Sequence, residues 1–135
     1  MPVSEADKIA ELLKNAKTIA VVGLNDNPSR TSYGVSRYMQ SQGYRIIPVN
    51  PEIRESLGEK AYGSLADVPG KIDIVNVFRR SEHLPEVVDE TIRLKLPAIW
   101  MQEGVIHKVA AGKARQAGIF VVMNRCIFKE HRARQ

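Results

Sequence analysis

The sequence predicts an α/β protein: a Rossmann-like three-layer α/β/α domain built on a five-stranded, mainly parallel sheet. Three observations carry that expectation. Short β-rich apolar runs alternate with amphipathic stretches of helical period along the chain. The run at residues 18–24 is apolar on both faces, as a strand covered by helices on either side must be. The first run ends on a lone glycine and a polar loop that leads into a helix.

Taken in order, Ser4 followed by Glu5 and Asp7 reads as a helix start, with Ile9, Leu12 and Leu13 as its buried stripe and an outer position in the fold. "TIAVVGL", residues 18–24, is a strand expected to lie centrally. "SYGVSRYMQSQG", residues 32–43, places Val35, Tyr38 and Met39 at helical spacing and stops on Gly43. "YRIIPVN" is the second strand, with Pro48 near its end and Pro51 beyond it. Residues 71–78 form the third strand, and "HLPEVVDETIRLKL" a helix whose first turn tolerates Pro85. "PAIWMQE" is the fourth strand, "VIHKVAAGKARQAG" a helix ending on Gly118, and residues 119–123 the fifth strand. A basic helix or tail, residues 124–135, follows. Strand, helix, strand with short links implies right-handed crossovers.

The 135 residues suit one domain spanning 1–135, with an N-terminal helix within 1–16. A hydrophobic share of 44% supports a real core, and 26% charged residues without Gly or Pro runs speak against disorder. No apolar run approaches the roughly 18–20 residues that span a bilayer, and the N-terminus lacks the apolar stretch of a signal peptide, so no membrane partner and a cytoplasmic location are expected. The net charge of +5 invites a nucleic-acid reading, but the basic surplus gathers in "NRCIFKEHRARQ" and aromatic residues are only 6%, too few for a stacking platform. With one cysteine, Cys126, the chain can form neither an internal disulfide nor a cysteine-based zinc site.

In an open α/β sheet, ligands bind beyond the carboxyl ends of the strands, where the strand order reverses. After the first strand come Gly23, Leu24, Asn25, Pro28, Ser29, Arg30 and Ser32. A helix starting near Ser32 points free N–H groups and its positive dipole end at this loop, and Arg30 adds a fixed charge, so a phosphate is stabilised there. In the simpler alternative Thr31 or Ser32 caps the helix and Gly23 makes the turn. The dinucleotide fingerprint G-x-G-x-x-G is absent, since Asn25 and Pro28 stand where glycines would. The second strand ends in "PVNP", with Asn50 where a carboxylate would hold the ribose of NAD. With Arg54 nearby, the pattern suits a nucleotide bearing an extra ribose phosphate; NADP and coenzyme A (CoA) both qualify.

"VVGLNDNPSRTSYGVSRYM", "GYRIIPVNP", "VNVFRR", "WMQEGV" and "NRCIFKEH" together resemble the small bacterial and archaeal CoA-binding proteins of the YccU type, themselves similar to the CoA-binding domain of succinyl-CoA synthetase α-subunits. The likeness runs from about residue 10 to 132. It implies a Rossmann-like fold around the ADP part of CoA, with CoA as the cofactor. On that resemblance Gly23, Leu24, Asn25, Pro28, Ser29, Arg30, Ser32 and Tyr33 would surround the pyrophosphate, largely through backbone N–H groups. Val49, Asn50 and Pro51 would flank the adenosine, and Arg54 would reach the 3′-phosphate, although the ligase domain carries its lysine one position earlier. Phe78 would be an adenine wall, or plain core, and Arg79 a charge beside it. Gln102 would touch the pantetheine path, while Glu103 would border it or cap the next helix.

The phosphorylated histidine of the synthetase belongs to a second domain that this length leaves no room for, so the expected role is CoA or acyl-CoA binding without catalysis. Alternatives are an NAD(P)-binding redox or regulatory module, a CoA-responsive interaction protein using the basic tail, and a component acting in trans with an acyl-CoA ligase. His83, His107 and His131 lack carboxylate or cysteine partners at ligand spacing, so they read as solvated and no metal or catalytic residue is expected. Cys126 reads as a small packing residue; a mixed disulfide with the CoA thiol would require it to be exposed.

Overall fold

A computed structural model describes residues 4–135. The order is α1 (Glu5–Asn15), β1 (Thr18–Val22), α2 (Thr31–Ser41), β2 (Arg45–Val49), a two-residue ladder β3 (Glu55–Ser56) and β4 (Glu59–Lys60), β5 (Ile74–Val77), α3 (Leu84–Arg93), β6 (Ala98–Met101), α4 (Lys108–Gln116), β7 (Phe120–Met123) and α5 (Ile127–Arg132). Short 3-10 turns at Leu65–Asp67 and Ser81–His83 precede β5 and α3. The main sheet runs β2-β1-β5-β6-β7 with every pairing parallel. From β1 the chain crosses one way to β2, and from β5 the other way to β6, so the order reverses between β1 and β5. The Rossmann-like three-layer class is as expected, and the antiparallel β3–β4 ladder is a separate addition that no apolar run announced.

The doubly apolar strands are explained by where their side chains go. Ala20, Val22, Val75, Val77, Ile99 and Met101 pack under α3 and α4, whereas Ile19, Val21, Ile74, Trp100 and Val122 pack under α1, α2 and α5. Successive residues point to opposite faces, so both registers must be apolar when both faces are covered. Trp100 is fully buried and its indole N–H donates to the Arg125 carbonyl at 2.8 Å, which removes the cost of burying that donor. Pro48 lies inside β2, an edge strand of the sheet, and its carbonyl accepts from the Tyr62 amide at 3.0 Å on the outer side. An edge position faces no ladder acceptor, so the missing proline N–H is tolerated there.

The buried stripe expected of the first helix is present, with Ile9 and Leu13 buried in the second core cluster and Leu12 packed against it, so α1 belongs to the core and is not the outer appendage expected of it. Of the helix or tail expected over residues 124–135, the chain forms the helix, and α5 buries Ile127 and His131. The helix expected to begin at Val105 begins at Lys108, because Val105 turns into the core and the His107 side chain caps the helix by accepting from the Ala110 amide at 3.1 Å.

Candidate functional site

The reversal between β1 and β5 brings four loop starts to one edge: Gly23 after β1, Asn50 after β2, Phe78 after β5 and Gln102 after β6. Gly23 has φ +88°, and a Cβ built there would lie 2.3 Å from the Phe78 carbonyl oxygen and 3.1 Å from Arg79 Cδ. Glycine is therefore required by the neighbouring strand's own backbone, before any ligand is considered. The Arg79 stem runs across this glycine.

Beyond Gly23 the loop is held by a relay of side-chain turns. Asn25 Oδ1 accepts from the Asn27 amide at 2.8 Å, and Asn27 Oδ1 accepts from the Ser29 amide at 3.0 Å and the Ser29 hydroxyl at 2.8 Å. The Asn25 amide donates to Ser32 Oγ at 3.0 Å, while the amides of Gly23 and Arg30 donate to the carbonyls of Val49 and Asn27. The amides of Gly23, Asn25, Ser29 and Arg30, expected with Ser32 around the pyrophosphate, each donate within the protein here. Ser32 is a buried loop anchor and caps nothing. Leu24 is fully buried, so its side chain belongs to the core.

What remains open is the start of α2. Arg30 is its N-cap and makes no side-chain cap, and the first turn carries no acid. Tyr33 and Gly34 donate to the Arg30 carbonyl at 3.1 and 3.2 Å, but the amides of Thr31 and Ser32 meet no protein acceptor among the described residues. By contrast α1 has Ser4 accepting from Asp7 and acids in its first turn. An uncompensated helix start with an exposed arginine at its cap favours an anion.

Beside it lies a cleft of about 300 Å³, lined by Val22, Val49, Pro51, Gly63, Ser64, Arg79 and the α3 residues Glu86, Val87, Glu90 and Arg93. Val49, Pro51 and Arg79 were expected at the site from sequence; the α3 wall and the Gly63–Ser64 turn were not. Their only signal was the acidic, amphipathic pattern of α3, which a solvated helix face shares. A roomier groove of about 930 Å³ lies between α1 and the amino-terminal ends of the strands, bordered by Asp73, Pro97 and Phe120. It is at the wrong end of a parallel sheet for the ligand and contains none of the candidate residues.

Asn50 is diverted to structure: its amide group donates to the Leu24 carbonyl at 3.1 Å and its Oδ1 accepts from the Glu52 amide at 2.9 Å. It ties the second loop to the first. Arg54, ahead of β3, is exposed, and no carboxylate pairs with Arg30, Arg54 or Arg79 among the described residues, whereas Arg80, Arg93, Arg125 and Arg134 all have acidic partners. Pro28 and Tyr33 flank the helix start, exposed and half-buried respectively. Phe78 is half-buried against the second core cluster.

Gln102 is buried, and its Oε1 accepts from the Ile127 amide at 3.0 Å, capping α5. Glu103 does not cap α4; it pairs with Lys129 of α5 at 3.0 Å, which raises the lysine pKa. His131 is not solvated: it is buried, its Nδ1 lies 2.9 Å from the Tyr38 hydroxyl, and burial lowers its pKa. Cys126 is buried as the N-cap of α5, which suits packing and not disulfide exchange. No group of three or more His, Cys, Asp or Glu side chains is placed to hold a metal among the described residues, and no helix there is long and apolar enough to cross a membrane.

A family profile described as "CoA binding domain" matches residues 17–132. The chain is 50% identical over 124 residues to the uncharacterized protein YneT of Bacillus subtilis, covering 92% of each. A solved structure, a hypothetical protein from Pyrococcus horikoshii, superposes with TM-score 0.92 at 34% identity, covering 98% of each chain. The α-subunit of an ADP-forming acetate–CoA ligase from Pyrococcus furiosus is 36% identical over 61 residues, which are 44% of this chain and 13% of that subunit. This chain therefore corresponds to a small part of the ligases it matches.

Proposed function

The chain belongs to the CoA-binding-domain family, and from that premise we propose that it binds coenzyme A or an acyl-CoA by the ADP 3′-phosphate half without transforming it. The observation that carries the reading is an uncompensated helix start and a cleft of mixed lining at the same end of the sheet, joined by Arg79 lying across Gly23. The pyrophosphate is assigned to the α2 start, with the amides of Thr31 and Ser32 and the Arg30 guanidinium as donors. The adenine is assigned to the cleft, whose Val22, Val49 and Val87 offer apolar surface to a flat ring. The 3′-phosphate is assigned to Arg54, an exposed cation after the β2 end that pairs with no carboxylate among the described residues.

The residues present fit CoA better than NAD. The position at the end of β2 where a carboxylate would hold the ribose diol is Asn50, which is bonded to its own loop, and Glu52 lies beyond Pro51. In support of binding without catalysis, no side chain around the phosphate loop is arranged as a nucleophile with an adjacent base among the described residues, and the hydroxyls of Ser29 and Ser32 are engaged in holding the loop. The pantetheine arm would leave past the Gln102–Glu103–Gly104 turn.

Thermal shift and titration calorimetry with CoA, acetyl-CoA, dephospho-CoA, NADPH and NAD test this. CoA and acetyl-CoA should raise the unfolding midpoint, dephospho-CoA should do so less, and NAD should not. Equal shifts by CoA and dephospho-CoA would remove the 3′-phosphate assignment. A larger shift by NADPH than by CoA would replace CoA as the ligand.

A further inference from the structure

The cleft beside α3 holds a carboxylate that no other described residue engages, and we infer that Glu86 selects the base by accepting from the exocyclic amine of adenine. The inference rests on the CoA reading and deepens it. Two carboxylates lie on the α3 wall one helical turn apart. Glu90 is committed, accepting from the Leu65 amide at 3.2 Å and pairing with Arg93 at 3.5 Å. Glu86 has neither a hydrogen bond nor an ion pair among the described residues, although it lines the same cleft. Its place in the first turn of α3 suits an acid, but no capping contact is made: the His83 amide at the N-cap donates to the Arg80 carbonyl at 2.9 Å.

The apolar part of the lining comes from Val22, Val49 and Val87, and Arg79 enters from the side of the phosphate loop, where a guanidinium can lie on the π face of a flat ring. The Ser64 hydroxyl is unavailable as a donor to the base, since it donates to Asp67 at 3.0 Å. That leaves Glu86 as the free acceptor on the wall. A carboxylate only accepts, adenine presents an amine donor at position 6, and a 6-oxo purine presents an acceptor there. The site therefore binds 6-amino purines and leaves a 6-oxo purine with two acceptors facing each other.

The test uses adenosine 3′,5′-bisphosphate and inosine 3′,5′-bisphosphate, with CoA alongside, titrated calorimetrically into the protein and into Glu86→Ala. Glu86 is exposed, so the variant is expected to keep the native unfolding midpoint. The unaltered protein should prefer the adenine nucleotide by about tenfold or more, the ratio set by one well-formed hydrogen bond, and Glu86→Ala should lose most of that preference. An unchanged ratio in the variant, or no preference in the unaltered protein while CoA binds, overturns the assignment of Glu86 and leaves the CoA reading standing. Failure of CoA and both nucleotides to bind overturns that reading, and this assignment with it.

Discussion

Gly23 and Phe78 meet backbone to backbone: the ends of β1 and β5 approach so closely that a Cβ on residue 23 would fall 2.3 Å from the Phe78 carbonyl oxygen. The contact sets the width of the strand-order reversal where the candidate site lies, and it makes Gly23 a structural requirement. Gly23→Ala combines that clash with a left-handed backbone, and the expected destabilisation is about 2–4 kcal/mol by urea unfolding. A loss under about 1 kcal/mol would show that the two strand ends separate freely. Loss of ligand binding in this variant would not by itself locate the phosphates.

Arg30 is the better probe of the phosphates, because it is exposed, unpaired and not needed by the core. Arg30→Glu should leave the unfolding midpoint nearly unchanged and weaken CoA binding by about tenfold or more at low salt. Salt screens exposed charges, so the deficit should narrow as ionic strength rises. A dissociation constant that stays the same at low salt removes Arg30 from the site.

His131 predicts an acid-sensitive attachment of α5. Burial disfavours the imidazolium, so the folded-state pKa lies below the usual 6.5. The contribution to stability is complete above pH 6.5, where both states are neutral. It is lost as the pH falls from there through the lower folded-state pKa, because the unfolded chain takes up the proton first. The groups facing the ring are the Tyr38 hydroxyl at 2.9 Å, the Tyr44 ring at a centroid distance of 5.7 Å and the Gln135 amide, none of which offers it a negative charge near neutral pH. Urea midpoints measured between pH 8 and 5 should fall for the unaltered protein, and less steeply for His131→Gln. Tyr38→Phe should cost about 1 kcal/mol at pH 7.5 by leaving a buried ring nitrogen without its partner. Parallel pH profiles for the unaltered protein and His131→Gln would refute the account.

Much of the architecture was legible in the chain. The strands of the main sheet coincided with largely apolar runs, because a parallel strand between two helical layers leaves little room for a polar side; the buried Asn76 within β5 is an exception. The Gly23 turn and the helix start beyond it were also legible, since a lone glycine after a strand followed by Asn, Pro and Ser has few other uses. The strand ends were less sharp: the third apolar run spans 71–78, but the ladder holds only Ile74–Val77. Apolar residues continue past the point where hydrogen bonding stops.

What the sequence alone determined was the class of fold, the end of the sheet to examine and the small set of residues at that end, because periodicity and turn chemistry are local. Which of those residues are free to meet a ligand was decided only by the folded chain. Asn50, Ser29, Ser32 and Gln102 all have the polar groups a binding site needs, yet their partners lie in their own loop or across it. Glu86 was invisible from sequence for the opposite reason: a helix surface acid acquires a role only when the neighbouring strands place a cleft in front of it. Hydrogen-bond capacity is written in the side chain, but whether that capacity is already spent depends on which distant segments the topology brings within about 3 Å.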